Sequence, residues 1–161
     1  MGGPASDVAA LSVEPGWVKV IESGEGKLTE HLLDGRHRLL SDEPVAAGGS
    51  DRGPGTYELL LMALGACTTM TLRLYADRKQ WPLARVSVAL RHARIHAEDC
   101  ADCETKQGML DRIERVISLE GALDAEQRQR LKQIADICPV HRTLTSEMKI
   151  ETRLADASVS P

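Results

Sequence analysis

Residues 56–78, TYELLLMALGACTTMTLRLYADR, constrain the fold more than any other stretch of the chain. They follow a loop rich in Gly and Pro, PVAAGGSDRGPG (44–55), and stop short of Pro82. Thr56 is placed to cap a helix start, and Glu58 complements the positive end of a helix dipole. Arg73, Arg78 and Lys79 gather toward the other end. The pattern predicts one long helix over about 56–78. From 59 to 75 nearly every residue is aliphatic or small, yet Cys67 sits in the middle.

Around this segment the pattern changes to alternation. WVKVIES (17–23), LTEHLL (28–33) and HRLLSDE (37–43) read as three strands, with Asp34-Gly35 supplying the positive φ angles of a tight hairpin turn. ARVSVALRHARIHAE (84–98) and MLDRIERVISLEG (109–121) read as two more, joined by the polar DCADCETKQG. Asp124 and Gln127 form a capping-box pattern, and Leu131, Ile134, Ala135 and Cys138 then share one apolar stripe, so a second helix is predicted. Pro139 ends it and suits the first position of a further turn, PVHRTL, with Cys138 as its N-cap residue. SEMKIET (146–152) alternates as a final strand. Three strands, a helix, two strands, a helix and a strand make an α+β fold with mainly antiparallel pairing. The expected organisation is a loosely held arm over 1–15, a single domain over 16–155 and a tail over 156–161.

Composition narrows the function classes. A chain of 161 residues can build one domain with a real core. Trp17, Tyr57, Tyr75 and Trp81 are its aromatic residues, so the core falls to Leu, Ile, Val, Ala and Met. A formal charge of −4 with so few aromatics argues against a nucleic-acid partner. No apolar run approaches the roughly 18 residues of a membrane span. MGGPASDVAALSV lacks the charged and apolar regions of a secretion signal, and Pro4 counts against its loose myristoylation pattern. A soluble, cytoplasmic protein is expected.

Cysteines then carry the chemistry. In a reducing compartment Cys67, Cys100, Cys103 and Cys138 read as catalytic, redox or metal-binding groups sooner than as a disulfide framework. Cys67 lies about three turns into the long helix, beyond the reach of its N-terminal dipole. An unassisted thiol is only a few per cent ionised near pH 7, so Cys67 would need Thr68, Thr69 or an Arg arriving from elsewhere to activate it. Otherwise it is a packed core cysteine. Cys138, before Pro139 at a helix start and close to His141 and Arg142, can meet backbone N–H groups; it can equally be a core residue beside Leu131 and Ile134.

DEPVAAGGSDRGPGTYELLLMALGACTTMTLRLYADRK (42–79), followed far downstream by ICPVHRTL (137–144), resembles the OsmC/Ohr family, and the likeness extends from about residue 17 to 154. That resemblance implies an OsmC-like intertwined homodimer, antiparallel sheets around two central helices, and thiol-dependent reduction of organic hydroperoxides. Cys67 would be the peroxidatic cysteine and Cys138 the resolving one. A sulfenic acid on Cys67 would condense with Cys138 to a disulfide. An external dithiol such as dihydrolipoamide or a lipoyl protein would restore the pair, with no bound cofactor required. An aliphatic pocket suits alkyl or fatty-acid hydroperoxides.

The family pairs an Arg from the N-terminal strands with a Glu preceding the first cysteine. Here Tyr57 holds the Glu position, and Glu58 points away from Cys67 on an ideal helix, since nine residues turn about 900°. Arg36 and Arg38 are the candidate arginines. RHARIHAEDCADCE (91–104) is a second departure. His92 and His96 share a strand face just before the Cys100/Cys103 C-x-x-C, a donor set that a tetrahedral zinc site could use. Asp99, Asp102 and Glu104 disfavour free thiolates there. This segment reads as a metal site, an accessory redox pair or a plain polar loop. The alternatives to a peroxidase are a non-catalytic metal- or ligand-binding module on His92, His96, Cys100 and Cys103, or a cysteine hydrolase using Cys138 and His141.

Overall fold

A computed structural model describes residues 12–154; the expected tail and most of the expected arm lie outside them. The chain divides into two compact units, Met1–Met62 and Ala63–Pro161.

The first unit is an antiparallel sheet of β1 (Lys19–Glu22), β2 (Glu30–Leu33) and β3 (Arg38–Ser41), in that order. The β2–β3 turn uses one positive φ, at Gly35 (+87°), whereas Asp34 serves as an acceptor. Its carboxylate takes the N–H groups of Arg36 (2.8 Å) and His37 (2.6 Å) and the His37 ring nitrogen (2.8 Å). The His37 ring, followed by those two N–H groups, holds the Asp34 carboxyl well below the usual carboxylate range. After β3 the loop folds over the buried Asp42. That carboxylate accepts from Thr29 Oγ1 (2.9 Å) and from the backbone of Glu43, Ser50 and Arg52 (2.8, 3.2 and 3.3 Å).

Helix α1 (Thr56–Arg78) has the predicted bounds but not the predicted cap. Thr56 is already helical; Glu58 Oε2 reaches back to accept the Gly55 N–H at 2.8 Å, as a Glu in the first turn can. By length and composition α1 could also cross a membrane, with a mean hydropathy of 1.5. That corrects the expectation from apolar runs: Ala, Gly and Thr interrupt a run of large side chains without making the segment polar.

In the second unit α1 buries Gly65 and, at i, i+4 spacing, Leu64, Thr68, Leu72 and Ala76. Leu72 and Ala76 enter one buried cluster with Leu83, Leu123, Leu131, Ile134 and Ala135. Burying Leu72 or Leu131 completely contributes about 1.5–3 kcal/mol each. A two-stranded antiparallel ribbon, β4 (Leu83–His96) and β5 (Met109–Gly121), supplies Val86, Ile117 and Leu119 to the edge of that cluster. Its register runs unbroken from Arg85↔Glu120 to His96↔Met109. Gly121 closes β5 at φ +132°, where a Cβ would collide with the Pro82 carbonyl.

Helix α2 (Ala125–Ala135) starts at the predicted capping box: Gln127 N–H donates to Asp124 Oδ1 (2.7 Å) and Asp124 N–H to Gln127 Oε1 (3.1 Å). Helix α3 (Pro139–Thr145) follows, with Pro139 at its first position. The strand expected over 146–152 does not form. Among the described residues no strand pairs with this segment, and Met148 and Ile150 are exposed. Alternation makes a strand only where a ladder partner takes up its N–H and C=O groups.

Candidate active site

Cys138 follows α2 and touches the buried stripe of α1 at Thr68. This residue is fully buried, and its backbone is extended at the N-cap of α3 (φ −63°, ψ 144°). Its sulfur accepts the His141 backbone N–H at 3.4 Å and lies 3.7 Å from Thr68 Oγ1 on α1. Thr68 has one hydroxyl proton, which goes to the Leu64 carbonyl at 2.8 Å. In this arrangement the Cys138 S–H is therefore the donor to Thr68. Loss of that proton can be met by rotation of the Thr68 hydroxyl toward the sulfur. His141 meets Cys138 through its backbone N–H, not as the ring base that a hydrolase dyad requires.

Cys67 stands on α1 one residue before Thr68 and is half-buried. It lies at the flank of the buried stripe, on the side that continues to Met70 and Leu74, both exposed. The two cysteines thus differ in access: one sealed beneath α1, the other open at its edge.

An Arg does arrive at this place, from β5. Arg115 Nη1 donates to Thr68 Oγ1 (3.1 Å) and to the Ala135 carbonyl (3.1 Å), and Nη2 pairs with Asp136 at 2.6 Å. Its side chain is only 12% exposed. Sequence reasoning anticipated such an Arg without locating it. The available signal is that Ile113, Arg115, Ile117 and Leu119 alternate along β5, so a cation occupies one inward position of an apolar face. Beside it opens a cavity of about 410 Å³, walled by Leu64, Ile113 and Leu144 and by the polar Arg115, Asp136 and His141. Such walls can hold an alkyl chain next to a charged group.

The remaining sequence candidates are placed as follows. Glu58 spends one carboxylate oxygen on the start of α1. Arg38 Nη2 lies 2.8 Å from His31 Nε2, and Arg36 is exposed in the β2–β3 turn. The unbroken register keeps His92 and His96 on one face of β4, where His92 Nε2 pairs with Asp111 at 2.8 Å. Cys100 and Cys103 are joined by a disulfide. Their sulfurs and the Asp102 carboxylate lie within 4.8 Å of one another, a grouping that does not include either His.

Among the described residues, antiparallel sheets, three α-helices and the free Cys67 and Cys138 beside the Thr68–Arg115 contact define the class. The family model for OsmC-like proteins matches residues 48–153, and the chain belongs to that family. Solved structures agree on the fold. An organic hydroperoxide resistance protein OsmC from Legionella pneumophila aligns with a TM-score of 0.58 at 18% identity, covering 84% of this chain and 92% of its own. An OsmC-like protein from Mycoplasma pneumoniae gives 0.61 at 17% identity, covering 80% and 85%. The organic hydroperoxide resistance protein OhrB of Bacillus subtilis gives 0.55 at 19% identity, covering 80% and 89%. No curated protein matches.

Proposed function

We propose that this chain is a thiol-dependent peroxidase that reduces organic hydroperoxides, with Cys67 as the peroxidatic and Cys138 as the resolving cysteine. The observation that carries this reading is the contact of Cys138 Sγ with Thr68, the residue next to Cys67. The Cys67 thiolate attacks the terminal peroxide oxygen, the O–O bond breaks, and the alkoxide takes a proton and leaves as an alcohol. The resulting sulfenic acid is attacked by the Cys138 sulfur, forming a disulfide and releasing water. An external dithiol, of the dihydrolipoyl class, returns both thiols and becomes a disulfide itself. No bound cofactor is needed for this cycle.

Arg115 holds the Thr68 hydroxyl and so fixes the acceptor that Cys138 uses. A homodimer belongs to the same reading, since Met70 and Leu74 are an exposed apolar surface on the Cys67 side of α1, suited to cover by a second copy. The cytoplasm, where dithiol reductants operate, is the matching compartment. Neither nucleic acid nor membrane takes part. The names carried by the Legionella and Bacillus structures support the substrate class.

One observation favours a second reading, a metal-binding module: reduction of Cys100 and Cys103 would place two thiols and the Asp102 carboxylate within reach of one zinc ion, a set that includes neither His92 nor His96. Turnover of cumene hydroperoxide with dihydrolipoamide by metal-free protein tests the first reading against it. Sustained consumption that disappears in Cys67→Ser is expected; no consumption would remove the peroxidase assignment.

A further inference from the structure

The tip of the β4–β5 ribbon has no part in the peroxidase cycle, yet it is built around two cysteines. After β4, Ala97–Asp99 make a single 3-10 turn. Cys100 N–H donates to the Ala97 carbonyl (3.1 Å), Ala97 N–H donates to the Gly108 carbonyl (2.9 Å), and Gly108 at φ +86° turns the chain into β5. Inside this closed tip the disulfide joins Cys100 and Cys103, with Cα atoms 5.4 Å apart. A bond across three residues restrains little of the unfolded chain, and the backbone already pins the tip. Stapling is thus a poor reason for it. Access is a better one: both cysteines are half-buried, with exposed residues on either side of each.

We propose that Cys100–Cys103 is a reversible dithiol–disulfide couple, a second redox site that exchanges electrons with an external dithiol. One thiolate of the dithiol attacks a sulfur of the pair, a mixed disulfide forms, and the other cysteine leaves as a thiolate and takes a proton. The second thiol of the reductant then attacks the mixed disulfide from its own side. The protein keeps two thiols, the reductant becomes a cyclic disulfide, and two electrons and two protons have moved. The short loop selects a dithiol over a monothiol. A freed cysteine three residues away re-closes the ring and expels a monothiol, whereas a dithiol competes intramolecularly on equal terms. Exposed Glu98, Asp99, Asp102 and Glu104 outnumber Lys106, which donates to the Cys103 carbonyl, and their net negative field disfavours anionic glutathione.

Wild-type protein equilibrated in a series of dithiothreitol redox buffers, quenched by alkylation and mapped by mass, tests this site separately from Cys67 and Cys138. Cys100 and Cys103 should be reduced together in one two-electron transition, reversibly and with unchanged circular dichroism. Dithiothreitol should open the bond at least about tenfold faster than glutathione at equal thiolate concentration. Cys100→Ser should leave Cys103 alkylatable in every buffer. A pair that stays closed, or stays open, throughout the series would overturn the proposal. So would equal rates with the two reductants, or a reduced pair that takes up one zinc per chain and no longer re-oxidises. Loss of peroxidase turnover alone would leave these readouts unmoved.

Discussion

The Cys138 sulfur lies 3.7 Å from the Thr68 hydroxyl, and Thr68 in turn receives Arg115. One buried hydroxyl therefore joins α1, β5 and the turn between α2 and α3. Thr68→Val keeps the shape and removes the hydroxyl, leaving the Arg115 Nη1 and Cys138 S–H short of an acceptor. A loss of about 1–3 kcal/mol in urea unfolding is expected, with Thr68→Ser recovering most of it. Unchanged stability in Thr68→Val would mean that the contact is not formed.

Arg115 makes three bonds from a planar fork, which a Lys cannot reproduce. Arg115→Lys should therefore behave more like Arg115→Met than like wild type, both slowing formation of the Cys67–Cys138 disulfide after a peroxide pulse. Quenched-flow alkylation with mass mapping follows that step. Full recovery by Lys would reduce the role of Arg115 to its charge.

Asp42, like Asp34, gives the first unit part of its pH dependence. Burial alone would raise its carboxyl, but the bonds from Thr29 and the backbone of Ser50, Arg52 and Glu43 outweigh that and hold it below its ordinary 3.8. A depressed carboxyl stabilises the fold above its unfolded value, and this contribution is lost as pH falls through the folded one. The melting temperature should therefore decline on acidification below about pH 4. Asp42→Asn should melt lower at pH 7 and show a shallower decline. Parallel profiles for the two proteins would contradict this.

The two cysteines of the site should fail differently. Cys67→Ser is expected to abolish turnover. Cys138→Ser should allow one oxidation per chain, read as sulfenic acid by dimedone labelling, without recycling. Equal steady rates in the two variants would contradict their assigned roles.

Much of this was legible in the sequence because the determinants are local. The limits of α1 and β5, the Asp124–Gln127 box and the Cys138 cap follow from punctuation by Gly, Pro and capping residues. What was not legible depends on partners distant along the chain. Residues 146–152 alternate like a strand, but alternation does not supply a ladder. Arg115 reads as one of several charges on an amphipathic strand until Thr68 and Ala135 are set opposite it. Thr56 looks like a cap, and only the Gly55–Glu58 bond shows the helix starting one residue earlier than a Thr cap would place it.

Mass mapping of disulfides after one equivalent of cumene hydroperoxide tests the central claim most directly. The account predicts a single new Cys67–Cys138 bond within one chain, formed as the alcohol is released. Cys67 carried on to sulfinic acid beside a reduced Cys138, or oxidation confined to Cys100 and Cys103, would contradict it.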